Sequence, residues 1–547
     1  MIVSKKKALI SAIMMSSLGL SSTVFAAQSL SDDAAQVKAQ TGTSSAVRVE
    51  VDQPAPANAA GQARFELKDI SVSGDNQSVS QTAMKRIASR YTGRLVTLND
   101  LNAMTKEITV YLRSHGYPAA AAYAPAQRIQ NGVLSIKILP GLYGSVKIDN
   151  KSKLQDSVVE RITRGLKSGK AITTNGLESV LYRLNDLGAV KATGLLSPGG
   201  QTGTSDLTLH IEDAKNVRAT LYAENHGTKA AGHYRYGLID DVYNVDHHGE
   251  HLNISGLISN DHMHNYSASF DLPYGTTATK AGISVGRSDY MLGSQFKNIN
   301  AVGQSDNISL YAETPLLRTT GRSRYLRYGF DYRRLKDELR TYSYDVKRRS
   351  QTGHIGYAET IRTGKNVLDT AVTVSHEQMT MVSDYAKQNA MYSHAKGRFT
   401  KGVIDMTSVQ GFNRRWDLLV RAQGQLASRN LDSSEQFYLG GANGVRAYPQ
   451  GEGAGDVGGL ASAELRYHTS VPGLTLCSFY DNGYSRGSKD GTYPSMHLSG
   501  WGLGMSYTRP DDYFLRLDYA RRIGLDKNAT DDAASNHRLW FMAGKIW

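Results

Sequence analysis

The chain has 547 residues, room for two or three units of ordinary domain size. Its net charge is +13, but the 63 Lys and Arg are dispersed, which argues against a nucleic-acid surface. The single cysteine, Cys477, excludes an intramolecular disulfide, and with a mean hydropathy of -0.40 no apolar run long enough to span a membrane as a helix follows the N-terminal segment.

Residues 1–26 read as a secretory signal. Lys5, Lys6 and Lys7 form the charged region, Ala8 to Leu20 the apolar stretch, and Val24-Phe25-Ala26 the cleavage site, with cleavage after Ala27 as the alternative. The apolar run is shorter than the ~20 residues of a spanning helix. Residues 27–63 are rich in Ala, Gln, Ser and Thr. A short helix is expected over Leu30 to Gln40, with Ser31 as N-cap and Asp32 and Asp33 in its first turn, followed by a flexible linker.

Residues 64–141 and 142–215 form a weak internal repeat of α+β units in the order β-α-α-β-β. The first is expected to run as strand Phe65–Ser73, helix Ser80–Tyr91, helix Leu98–Ser114, and strands Ala121–Ile129 and Gly132–Leu139. Leu101, Met104, Ile108, Tyr111 and Leu112 recur at helical spacing, and Asn131-Gly132 marks a tight hairpin. The second is expected to run as strand Gly144–Ile148, helices Leu154–Leu166 and Leu177–Leu187, and strands Val190–Leu196 and Asp206–Ile211, with Gly188 ending the second helix. Each unit leaves a sheet edge that an extended peptide can join as a strand; plain spacers are the alternative.

From residue 216 to 547 helical spacing disappears and period-two alternation replaces it. Val217, Ala219, Leu221 and Ala223 alternate with Arg218, Thr220 and Glu224. Ala461, Ala463, Leu465 and Tyr467 alternate with Ser462, Glu464 and Arg466; Tyr513, Leu515, Leu517 and Tyr519 alternate with Arg516 and Asp518. Apolar-out, polar-in segments of about ten residues predict a transmembrane β-barrel. A soluble sandwich can show the same alternation, but the polar sides here carry many charges. Strands are expected near 217, 233, 250, 265, 278, 304, 323, 350, 366, 392, 416, 459, 474, 497, 513 and 537, which makes a 16-stranded antiparallel barrel with no helix. An even number puts both barrel ends on the periplasmic side, so the two α+β units hang in the periplasm of a Gram-negative cell. The 31 tyrosines suit aromatic girdles, and Trp547 ends the last strand as a terminal aromatic, with Lys545 where an apolar residue is usual.

The longest link joins the eleventh and twelfth strands, from Leu431 to Gly458. It holds Gly440, Gly441 and Gly444 and then Val445-Arg446-Ala447-Tyr448. A guanidinium in so apolar a setting needs a paired anion. The thirteenth strand offers Asp481, on the same side as Phe479 and Cys477 and close to Gly483.

Together, these features resemble the transporters of two-partner secretion, the TpsB proteins related to haemolysin and filamentous-haemagglutinin exporters. The resemblance covers residues 64–547, with two POTRA-like units, sixteen strands and a long sixth external loop. Val445-Arg446-Ala447-Tyr448 matches the family's Val-Arg-Gly-Tyr/Phe motif, with Ala447 in place of Gly. Phe479-Tyr480-Asp481 has one residue where the family's Phe-x-x-Asp has two, and Asn225 and Gly227 resemble the family's early barrel. The resemblance implies that the loop folds into the lumen and that Arg446 pairs with Asp481. It implies an unfolded exoprotein of TpsA type as partner, adhesin or haemolysin in kind. That cargo binds through the POTRA units and passes a gate formed by the loop and the N-terminal helix. Expected partners are outer-membrane lipid and the barrel-assembly machinery; the expected protein is a monomer without cofactor, metal or nucleic acid, and is not an enzyme.

Competing readings are an outer-membrane assembly insertase of the same superfamily and a passive porin or nutrient receptor. His247, His248, His251, His262 and His264, with Asp246 and Asp261, suggest a metal site, but ten strand residues place the two groups at opposite barrel ends. Gly451-Glu452-Gly453-Ala454-Gly455 has no strand-to-helix context for a phosphate loop.

Overall fold

The computed structural model describes residues 47–49, 64–74, 81–395 and 397–547; the signal segment and the helix expected over Leu30 to Gln40 lie outside them. Val47–Val49 (β1) precedes the first α+β unit. That unit opens with two strands rather than one. Phe65–Leu67 (β2) and Asp69–Ser73 (β3) are separate, because Lys68 donates its N–H to Gly132 O at 2.8 Å. After helix α1, Gln81–Ala88, comes Arg94–Val96 (β4), which pairs with β2 and was not legible in the repeat. Helix α2, Leu98–Ser114, starts at a reciprocal cap: Asp100 N donates to Thr97 Oγ1 and Thr97 N to Asp100 Oδ2. It buries Leu101, Met104, Ile108 and Leu112 against Leu134 and Ile136. Strand β5 is shorter than expected, Ala121–Tyr123, as Pro125 follows it. Val133–Leu139 (β6) pairs with β5 and, in parallel, with β3, and Asn131 and Gly132 turn at φ +56° and +74°.

The second unit follows the expected order: Leu142–Asn150 (β7), Asp156–Thr163 (α3), Thr174–Asn185 (α4), Val190–Pro198 (β8) and Thr204–Asp213 (β9). Its sheet runs β1-β8-β9-β7, so Val47–Val49 lies in parallel along one edge, on β8. Leu177, Leu181 and Leu184 of α4 pack with Leu207, Leu209 and Ile211 of β9.

Sixteen antiparallel strands then close a barrel. They are Val217–Glu224 (β10), Arg235–Tyr243 (β11), His251–Ser259 (β12), Met263–Tyr274 (β13), Thr279–Met291 (β14), Ala301–Arg318 (β15), Arg322–Leu339 (β16) and Tyr344–Thr363 (β17). The second half is Asn366–Met381 (β18), Gly397–Gly411 (β19), Trp416–Ala427 (β20), Val457–His468 (β21), Leu474–Arg486 (β22), Ser495–Arg509 (β23), Tyr513–Arg522 (β24) and His537–Ile546 (β25). Tyr266, Ile283, Ile308, Phe330, Ile404 and Leu503 face outward and are exposed, as the alternation required. The expectation of a helix-free region fails: among the described residues the barrel links hold one α-helix and four short 3-10 helices. Asp384–Ser393 forms helix α5 in an external link where a strand was placed near 392. Ser383 caps it by accepting a bond from Ala386 N.

Helices α3 and α4 dock the second unit onto two barrel turns, β13–β14 and β15–β16. Arg318 grips Asp186 with two bonds of 2.8 and 3.0 Å and lies over the Tyr182 ring. Thr320 donates N–H and hydroxyl to Glu178 at 2.9 and 3.1 Å. Arg161 reaches Pro273 O, and Ala278 joins the unit's apolar core.

The seam between β10 and β25 carries the shortest ladder in the barrel, Thr220–Glu224 against Met542–Ile546. Asn225 extends it with its side chain: Nδ2 donates to Leu539 O at 2.8 Å, and Oδ1 accepts from Phe541 N at 2.7 Å. At the other end Trp547 N donates to Ala219 O, and Lys545 leans over the Trp547 ring while binding Asp512.

Candidate functional site

The link between β20 and β21 folds into the barrel. Its two limbs are stitched together by Phe437 and Gly455, which exchange two backbone bonds of 2.8 Å. Gly440 donates to Glu452 O, Gly441 adopts φ +131°, and Gly444 donates back to Gly441 O, so the chain reverses tightly before Val445. Val445, Ala447 and Tyr448 are then buried with Leu439, Leu460, Phe479 and Leu498.

Arg446 is the centre of this arrangement and is 3% exposed. Its Nε and Nη2 donate to the two oxygens of Asp481 at 2.9 and 2.7 Å, the bidentate pairing of a planar guanidinium with a carboxylate. Nη2 also reaches Ser462 Oγ at 3.0 Å, and Nη1 reaches Glu464 Oε1 at 2.8 Å. The Phe479 ring lies 3.3 Å below the guanidinium carbon. Backbone atoms add to the hold: Arg446 N donates to Asp481, and Arg446 O accepts from Trp540 Nε1 at 2.7 Å. Arg516 binds Glu464 and Asp518, and Arg421 approaches Glu464, so three guanidinium groups face three carboxylates. That balance is what permits so many charges in a dry place.

The structure therefore brings together every loop and wall residue expected from the sequence. The one-residue spacing of Phe479 and Asp481 has a simple meaning. On a strand, i and i+2 share a face, so ring and carboxylate both meet the guanidinium. Gly483 leaves room for the loop, because a Cβ there would lie 2.9 Å from Leu439 and 3.3 Å from Val445. Ala447 is accommodated in turn by Gly500, whose Cβ would stand 2.6 Å from the Ala447 methyl.

Ser462, Glu464, Arg516, Asp518 and Trp540 were not singled out from the sequence. A signal existed for four of them: they occupy the polar side of their alternating strands, the side that faces the lumen. Trp540 gave none, since an indole in a barrel strand ordinarily reads as girdle. Glu452, farther along the loop, binds Thr530 N and Oγ1 at 2.9 and 2.6 Å, and burial raises its pKa against those two bonds. Cys477 is partly buried on the lumen face. The histidines are not brought together. His251 pairs with Asp241 and Asp271 near one barrel end and His264 with Asp289 near the other, and among the described residues no group of three or more candidate metal ligands forms.

Comparison with known proteins gives consistent results. A family model described as haemolysin secretion/activation protein ShlB/FhaC/HecB matches residues 203–507, and one described as POTRA domain, ShlB-type, matches residues 65–141. The heme/hemopexin transporter protein HuxB of Haemophilus influenzae (strain 86-028NP) is 26% identical over 496 residues, 87% of this chain and 86% of that one. The outer membrane transporter CdiB of Escherichia coli is 22% identical over 471 residues, 83% of this chain and 79% of that one. The solved structure of CdiB from Escherichia coli has a TM-score of 0.71 at 19% identity and covers 95% of this chain and 98% of its own, a likeness of fold.

Proposed function

The chain belongs to the haemolysin secretion/activation family ShlB/FhaC/HecB, and from that premise we propose that it threads one unfolded exoprotein through its lumen past a gate built on Arg446. It is an outer-membrane barrel transporter of two-partner secretion with POTRA units on the periplasmic side, and it works with a cognate exoprotein. The cargo enters as an extended chain and adds as a strand to a POTRA sheet edge. The parallel seating of Val47–Val49 on β8 supports this, since it is an extended segment lying along such an edge. The chain then passes through the lumen. Folding outside the cell supplies the drive, because a folded product cannot return through the pore. Cargo of adhesin, haemolysin or haem-acquisition type fits this route; HuxB is itself named as a heme/hemopexin transporter.

The single observation behind the gate is the buried Arg446 fork, which ties a lumen-filling loop to the wall through Asp481, Ser462 and Glu464. An insertase reading has no comparable support, as the matched family is a secretion family. The test is Arg446→Ala in cells producing transporter and exoprotein. Barrel in the outer membrane should stay at wild-type level while exoprotein in the medium falls. Normal secretion at normal barrel levels would sink the role of this loop.

A further inference from the structure

The loop between β20 and β21 is held at two places, on different walls of the barrel. Its tip is held by β21, β22 and β25 through Arg446. Its stem, at Asp432 and Glu435, is held by β16, β17 and β19. Lys401 Nζ donates to Glu435 at 2.8 Å, Arg333 also binds Glu435, and Arg348 bridges Asp432 and Asp337. Glu377 stands 4.0 Å from Arg333, and Tyr290 donates to Asp337 at 2.6 Å. Gln425 Nε2 adds a bond to Glu435 O at 3.0 Å.

The two holds differ in access from the lumen. At the tip the side chains of Arg446, Asp481 and Glu464 are 4, 1 and 3% exposed. Separating them would strand charges in a site that water does not reach, which is strongly unfavourable. At the stem Arg348, Glu435 and Asp432 are also largely buried, at 3, 7 and 12%, but the Arg333 and Lys401 side chains are 27 and 17% exposed. They border a lumen cavity of about 770 Å3, also lined by Arg348, Glu377 and Glu435. Water or a passing polypeptide can reach Arg333 and Lys401 from this cavity and compete for Glu435, so those two pairs are exchanged more easily than the pairs at the tip. The wall keeps partners of its own, because Asp337 and Glu377 stay with the cations when the loop leaves.

We propose that the stem is the moving latch of the gate and Arg446 its pivot. Arg333, Arg348 and Lys401 act as positioning residues that hold the loop across the lumen at rest, and cargo or thermal release of Asp432 and Glu435 swings the stem aside while the tip stays docked. This rests on the transport reading above.

The test is single-channel recording of the full-length protein in planar bilayers, beside secretion by cells. Asp432→Asn with Glu435→Gln should raise the open fraction of the resting channel about tenfold, equivalent to about 1.4 kcal/mol of lost closure, while secretion persists. Raising salt should increase the open fraction of the wild type and leave that variant unmoved, a response that a purely structural role would not give. Lys401→Arg should retain wild-type closure. The latch is overturned if the stem variant opens no more than the wild type, or if it stops secretion as Arg446→Ala is expected to do. Failure of the wild type to release any co-produced exoprotein would overturn the transport reading instead, and the conductance results would still judge the latch.

Discussion

At the scale of residues, the site turns on the shape of one cation. Arg446 serves two carboxylates and a hydroxyl at once, from a planar fork. A lysine carries the same charge as a point and cannot reach Asp481, Ser462 and Glu464 together. Arg446→Lys should therefore behave like a broken pair, with a loss of about 3 kcal/mol in loop attachment. Limited trypsin digestion of intact cells checks it: the loop should be cleaved in the variant under conditions that spare the wild type. Equal resistance would mean that charge alone holds the loop. Asp481 and Arg446 were legible in the sequence because a guanidinium among apolar neighbours demands an anion. Glu464, Arg516 and Asp518 were visible only as polar sides of strands, since nothing in a single chain says which strands lie beside the loop tip. The fit of Ala447 against Gly500 was illegible for the same reason: the two are distant in sequence and meet only after closure.

At the scale of elements, the seam is the weak joint of the barrel, because the first and last strands share so short a ladder. Asn225 substitutes for missing backbone. Its carboxamide offers one donor and one acceptor in the order a peptide unit would, and uses both on β25. Asn225→Ala would leave Phe541 N and Leu539 O without these partners, at about 1–3 kcal/mol for each group that water cannot reach. The variant should lose its folded, fast-migrating form on gels at a temperature several degrees lower than the wild type. Unchanged melting would show that the seam does not depend on this side chain. Trp540 lies next to this joint, since its indole donates to Arg446 O while its ring meets His226 edge-on. The loop tip is thus fastened to a strand of the seam as well as to the wall at Asp481. Strand number and facing were legible from alternation alone. Strand β4 and helix α5 were not: three residues are too few for a periodic signal, and α5 is a short helix with only Ala386 and Ala390 buried, so it lacks an apolar stripe.

At the scale of the whole molecule, the question is how events at the POTRA units reach the barrel. Helix α4 is the joint. Its Glu178, Tyr182 and the following Asp186 meet Arg318 and Thr320 at the turn between β15 and β16. That turn connects β16, which carries Arg333, to the periplasmic units, so a shift of the second unit acts on the wall that holds the loop stem. The bidentate Arg318–Asp186 pair is part-exposed, at 21 and 30%, and its worth lies in orientation more than in stability. Arg318→Asp should place two like charges at the joint, loosen the second unit and lower secretion while the barrel still inserts. Asp186→Arg should do the same. The double exchange, Arg318→Asp with Asp186→Arg, restores opposite charges and should recover secretion in part, although the Tyr182 contact is lost. A swap that recovers nothing, when each single variant is folded and inserted, would show that the pair does not couple the units to the barrel. A single variant that secretes normally would show that docking of the second unit does not depend on this pair and rests on the Glu178, Arg161 and Ala278 contacts.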